Sequence, residues 1–125
     1  MKRTDEDLLQ DMLDSIAAIR RHPPASRENL NTDEVLSRFI QKELEIIGEA
    51  ASKLTAATRA KAPDFAWGQI VGMRNRLVHD YARVDLDVVW ATVENDLEPL
   101  RVRVERIVEE LDRPEAEDRG NPVHD

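Results

Sequence analysis

Cysteine is absent from the 125-residue chain. No disulfide framework, zinc knuckle or thiol nucleophile can be built, and a reducing, cytoplasmic location is expected. Glycine is scarce, at 4 residues, and aromatic side chains make up only 4%. With few β-branched alternations besides, a sheet-rich fold is disfavoured. No stretch approaches the roughly 18 consecutive apolar residues of a membrane span. The opening MKRTDED is not followed by an apolar run, so no secretory signal is expected. Metal-binding patterns are missing as well. Bundle metal sites use Glu-x-x-His pairs, yet the residues three before His22, His79 and His124 are Ile19, Arg76 and Asn121. There is no His-Glu-x-x-His, no Walker loop and no dinucleotide fingerprint, so no metal or cofactor is implied.

What the chain does contain is charge and helical periodicity. Charged residues make up 35% and hydrophobic residues 41%, with a formal net charge of −8. The balance is uneven: −4 over residues 1–52, +4 over 53–83 and −8 over 84–125. An acidic protein is a poor general binder of polyanions, because Lys and Arg contacts supply most non-specific affinity for nucleic acid. A confined basic zone could still hold a few phosphates. On charge alone, a solvated basic face explains Lys53, Arg59, Arg76 and Arg83 better, taken one at a time.

Four amphipathic segments are legible. Thr4 with Asp5, Glu6 and Asp7 behind it signals a helix start, and Leu8, Leu9, Met12, Leu13, Ile16 and Ile19 form an apolar stripe ending before Pro23-Pro24. The second segment opens at Asn31/Thr32 and carries Val35, Leu36, Phe39, Ile40, Leu44, Ile47, Ala50, Ala51 and Leu54. The third spans 65–81, with Ile70, Met73, Leu77 and Tyr81 on one face and Gly68 and Gly72 spaced for close helix packing. The fourth starts after Asp85 and carries Leu86, Val89, Val93, Leu97, Leu100, Val104, Ile107 and Leu111, with a kink expected at Pro99. The expected fold is all-α: an antiparallel up-and-down four-helix bundle over 1–112, with a kinked last helix. Residues 113–125 carry no apolar stripe and read as a disordered acidic tail.

The chemistry concentrates in Gly72-Met73-Arg74-Asn75-Arg76-Leu77-Val78-His79-Asp80-Tyr81. On a continuous helix, Asn75 and His79 share a face, with Arg76 and Arg83 flanking His79, whereas Arg74 diverges from it by roughly 140°. Within one chain, Arg74 and His79 converge only if the helix distorts near its end or if the long reach of Arg compensates; a second copy facing the first across a two-fold axis would bring Arg and His from both chains to one cleft. An imidazole with an unperturbed pKa near ~6.5 is suited to moving protons at neutral pH. A guanidinium suits a phosphoryl oxygen that is gaining charge. Together they could cleave a phosphodiester without a metal if the substrate supplies its own nucleophile, as RNA does with its 2′-hydroxyl. The plainer reading is a helix end whose cations complement the dipole. His22, beside a Pro-Pro turn, and His124, in the tail, read as solvent-exposed bystanders.

The run from Arg74 to Tyr81 resembles the R-x-x-x-x-H-x-Y signature of HepT-like proteins of the HEPN superfamily, in which a polar residue such as Asn75 follows the Arg. The likeness extends to Ile47-Gly48-Glu49-Ala50-Ala51, to Trp67 and Gly72-Met73, and to Val84-Asp85 with Val89-Trp90, covering about residues 4–112. It implies an all-α bundle, a homodimer with a composite cleft, and a metal-independent ribonuclease toxin. The implied partner is an MntA-type nucleotidyltransferase antitoxin, which can modify the motif tyrosine with AMP. By that resemblance, Arg74, Asn75 and His79 are the expected catalytic residues and Tyr81 the regulatory one. Glu49, Arg76 and Arg83 are candidate supporting residues, Glu49 through a pair with Arg74 that competes with a plain surface role. Asp80 is a departure that places negative charge where RNA would approach. Trp67, Trp90, Phe39 and Phe65 read as core or dimer interface rather than base-stacking platforms. The alternative reading is a catalytically silent HEPN module that binds a nucleotide or a partner, and a purely structural helical dimer stands behind it.

Overall fold

Thr4 accepts a hydrogen bond from the Asp7 backbone N–H (3.1 Å), and the Asp7 carboxylate accepts one from the Thr4 N–H (3.2 Å). This reciprocal capping box opens α1 (Asp5–Arg21). The computed structural model describes residues 3–79 and 83–113. After α1 come α2 (Asn29–Thr32), α3 (Glu34–Lys53) and α4 (Ala56–Arg59), then α5 (Trp67–Val71) and α6 (Met73–Leu77). A two-residue antiparallel ladder of β1 (Val78–His79) and β2 (Arg83–Val84) follows, pairing Val78 with Val84 and His79 with Arg83. The chain then runs through α7 (Leu86–Ala91), a π-helical stretch (Thr92–Asp96) and α8 (Leu97–Asp112). The fold is all-α in class, and the ladder is a local device at the end of α6. The expected acidic tail lies outside the described residues, apart from Arg113.

The predicted stripes form the core. Leu9, Met12, Ile16 and Ile19 of α1 meet Ile40, Leu44 and Ile47 of α3 and Leu100, Val104 and Ile107 of α8, all buried. Val35 departs from its predicted place and is 80% exposed. The reason is local. Asp33, not Asn31 or Thr32, caps α3 by accepting from the Leu36 N–H (3.0 Å), while residues 29–32 form a separate turn. Val35 therefore falls in the first turn of α3, ahead of the main contact with α1.

The third predicted helix is neither continuous nor as long as its periodicity suggests. It breaks at Gly72, where an added Cβ would sit 3.1 Å from the Gly68 carbonyl, and it ends at Leu77 rather than Tyr81. Gly68 has open space around it, so the Gly68/Gly72 spacing does not admit a neighbouring helix. That role falls to Gly48 on α3, whose Cβ position lies 3.4 Å from the Ile70 carbonyl and 3.6 Å from Met73 Cε. The irregularity expected at Pro99 falls one turn earlier, in the π stretch. A proline ring crowds the carbonyl four residues before it, here that of Asn95, and Asn95 lies within the wider turn.

Polar ties fasten the short elements to the long ones. Asp5 accepts hydrogen bonds from the hydroxyls of Thr55 (2.6 Å) and Thr58, joining the start of α1 to α4. Trp67 is buried, and its indole N–H donates to the carbonyls of Arg59 and Ala62, both at 3.1 Å. Arg103 of α8 reaches Asp64 at 2.6 Å. His22 is exposed and lies edge-on to Phe39. Among the described residues, no helix is long and apolar enough to cross a membrane.

Candidate active site

Five residues cannot hold a helix by themselves, since nucleation alone is costly. α6 persists because Met73 and Leu77, one turn apart, are 0% and 2% exposed and fix its inner face. Its outer face is then set: Arg74, Asn75 and Arg76 are exposed. The Leu77 carbonyl accepts from the Asp85 N–H at 2.7 Å, next to the β1–β2 ladder. Asp85 also caps α7, accepting from the N–H groups of Asp87 and Val88.

Arg74 projects from α6 beside α3. Its Nη1 lies 3.2 Å from Glu49 Oε1, and the other carboxylate oxygen lies 3.3 Å from Lys53 Nζ. The pair sits at the edge of a groove of about 350 Å³ lined by Arg3, Lys42, Glu45, Glu49, Lys53 and Arg74, among others. Gly48 brings α3 and α6 close enough for this contact, and the residue after it, Glu49, turns outward toward Arg74.

Arg76 points elsewhere. Its Nη2 donates to the Gln69 carbonyl at 2.8 Å, and its charge acts on Asp96. Burial raises the Asp96 carboxyl above the usual carboxylate range, and the attraction of Arg76 offsets part of that effect. Arg76 therefore braces α6 against α5 and the π stretch.

The expectation that Asn75 and His79 share a helical face does not hold, because the helix stops two residues before His79. The His79 backbone is extended and pairs with that of Arg83. Those two positions do end up adjacent, across the ladder rather than along a helix. The structure thus contains a break in the third helix before His79, one of the two routes by which Arg74 and His79 could converge within one chain. Asp80 and Tyr81 lie outside the described residues. The positive zone of residues 53–83 is also partly neutralised in three dimensions. Lys53 and Arg74 meet Glu49, Lys61 lies 3.6 Å from Glu110, and Arg76 faces Asp96. Among the described residues, no group of three or more His, Asp or Glu is placed to hold a metal ion.

Two features passed unread in the sequence: Gly48 as the seat for α5 and α6, and Lys53 as the second cation on Glu49. The small-residue run of Gly48, Ala50 and Ala51 inside an apolar stripe signalled the first. The four-residue spacing of Glu49 and Lys53 on one helix signalled the second.

The chain thus carries Arg74 on a short helix that ends two residues before His79 of the R-x-x-x-x-H-x-Y run. The Ribonuclease HepT-like family model matches residues 12–107, and the chain belongs to that family. Among its relatives is "Probable ribonuclease HepT" of Thermococcus cleftensis, 31% identical over 86% of this chain and 98% of its own length. Another is "Putative RNase TTE0752" of Caldanaerobacter subterraneus subsp. tengcongensis, 35% identical over 73% of this chain and 81% of its own. No solved structure matches the chain.

Proposed function

We propose that the chain is a metal-independent endoribonuclease, the toxin of a type II or type VII-like toxin–antitoxin pair. The observation that carries this reading is Arg74: an exposed guanidinium on a helix that ends just before His79, in a member of the HepT-like family. The RNA 2′-oxygen attacks the adjacent phosphorus and the bond to the 5′-oxygen breaks, leaving a 2′,3′-cyclic phosphate and a 5′-hydroxyl. His79 takes the proton from the 2′-hydroxyl or gives one to the departing 5′-oxygen. Arg74 stabilises the charge gathered on the phosphoryl oxygens, and Asn75 orients His79 or a phosphate.

In this reading the active form is a two-fold homodimer joined through α5–α6 and α7–α8, so that both motifs face one cleft. The partner is an MntA-type nucleotidyltransferase that adds AMP to Tyr81. The added phosphate is a bulky anion that Arg74 would bind in place of RNA.

The test is expression of the chain alone and together with an MntA-type nucleotidyltransferase. Toxicity alone, relieved by the partner with AMP found on Tyr81 by mass spectrometry, is the expected result. Growth unaffected by the chain alone would overturn the toxin reading.

A further inference from the structure

We propose that Glu49 is a positioning residue for Arg74, held in place by Lys53. The inference rests on the catalytic reading of Arg74 and adds to it the group that sets where the guanidinium stands. Glu49 divides its two oxygens between two cations, Oε1 on Arg74 at 3.2 Å and Oε2 on Lys53 at 3.3 Å. Lys53 lies one turn further along the same helix, so the carboxylate is drawn toward a second cation on the side away from Arg74's nitrogen. The two carriers differ in stiffness: α3 runs for 20 residues against α1, while α6 has 5. The long helix therefore positions the side chain of the short one. Gly48 makes the contact possible by letting the Ile70 carbonyl and Met73 approach α3.

The contact occupies only Nη1 of Arg74. Among the described residues, Nε and Nη2 take no partner, and both remain as donors for a phosphoryl oxygen. An arginine with a 64% exposed side chain on a five-residue helix otherwise samples many rotamers, and a carboxylate clamp narrows that set.

Positioning and simple charge balance predict opposite kinetic signatures. Removing the Glu49 charge leaves Lys53 and Arg74 unopposed, so attraction for a phosphate backbone can only rise. If Glu49 positions Arg74, turnover falls even so, because misplacement of a catalytic group by about 1 Å costs on the order of 100-fold.

The experiment is steady-state cleavage of one defined RNA oligonucleotide by wild type, Glu49→Gln, Glu49→Asp and Lys53→Gln, each checked for helical content and thermal midpoint. Expected for Glu49→Gln is a kcat lower by about 10- to 100-fold, with KM unchanged or lower. Glu49→Asp should recover part of the loss, and Lys53→Gln should show a smaller fall. An unchanged kcat with a lower KM would make Glu49 only a counter-charge and overturn the proposal. A wild type that cleaves no RNA would instead refute the ribonuclease reading. The clamp is then judged by the side-chain Nε–Hε NMR signal of Arg74: a shift or broadening in Glu49→Gln upholds the contact, and an unaltered signal overturns it.

Discussion

Leu77 anchors the candidate site twice over, and truncating it should uncouple that site from the bundle. Its side chain is 2% exposed, and its carbonyl accepts the 2.7 Å bond from the Asp85 N–H beside the β1–β2 ladder. Leu77→Ala removes buried methyl groups and leaves a cavity, a change that costs about 2–5 kcal/mol in well-packed cores. The site lies where a five-residue helix gives way to the ladder, so the surroundings can partly collapse. A loss of about 2–3 kcal/mol, in the lower half of that range, is expected. Against a typical total of about 5–15 kcal/mol the protein stays folded. α6 has only Met73 as its other buried side chain, so amide exchange in residues 73–77 should speed up well beyond the rest of the chain. Leu77→Met conserves volume and should cost less than about 1.5 kcal/mol. Urea titration gives the stability change, and hydrogen exchange locates it. A Leu77→Ala cost below about 1 kcal/mol, or faster exchange spread evenly over α1 and α3, would refute the view that α6 is held by its two buried side chains.

The Asp5 tie gives a pH dependence of defined sign. Burial raises its carboxyl pKa, but the hydrogen bonds from Thr55 and Thr58 outweigh that, and the net shift is downward. Its contribution is therefore present above the unfolded value near ~3.9 and is lost as pH falls through the lower folded value. Urea midpoints between about pH 5 and 2 should drop less steeply in Thr58→Val than in wild type; equal slopes would show that the tie carries no linkage. Trp67→Phe keeps the ring but removes the donor to two carbonyls, and should cost about 1–2 kcal/mol in urea titration. Arg76→Ala should lower the thermal midpoint while leaving the salt dependence of RNA affinity unchanged, because Arg76 is turned to Gln69 and Asp96; a flatter salt dependence would make it a phosphate contact.

The sequence disclosed the bundle because α1, α3 and α8 obey a single period over many turns, and summed burial leaves little choice of face. The Thr4 cap and the helix start after Asp85 were legible for the same reason: each stands next to a helix that packing already demands. The third segment obeyed the period only by accident. Tyr81 continues the spacing of Ile70, Met73 and Leu77, yet the chain leaves the helix at Leu77, where the bond from Asp85 competes for its last carbonyl. Such a contact bridges eight residues outside any helical register and leaves no periodic trace. The α4 turn (Ala56–Arg59) carries only one buried residue and offered no stripe to read. At the site, the expected pair of Glu49 with Arg74 is found, 3.2 Å apart; what no spacing within one helix reveals is that Gly48 seats α5 and α6 against α3 to allow it.

The central claim is that Arg74 and His79 cleave RNA without a metal. It is tested most directly by incubating the purified protein and its Arg74→Ala and His79→Ala variants with a defined RNA in excess EDTA, and identifying the product ends. Wild type is expected to cleave, leaving 2′,3′-cyclic phosphate and 5′-hydroxyl ends. Each variant should fall by about 10²-fold or more with its helical content intact. Cleavage abolished by EDTA, or variants that cleave as fast as wild type, would contradict it.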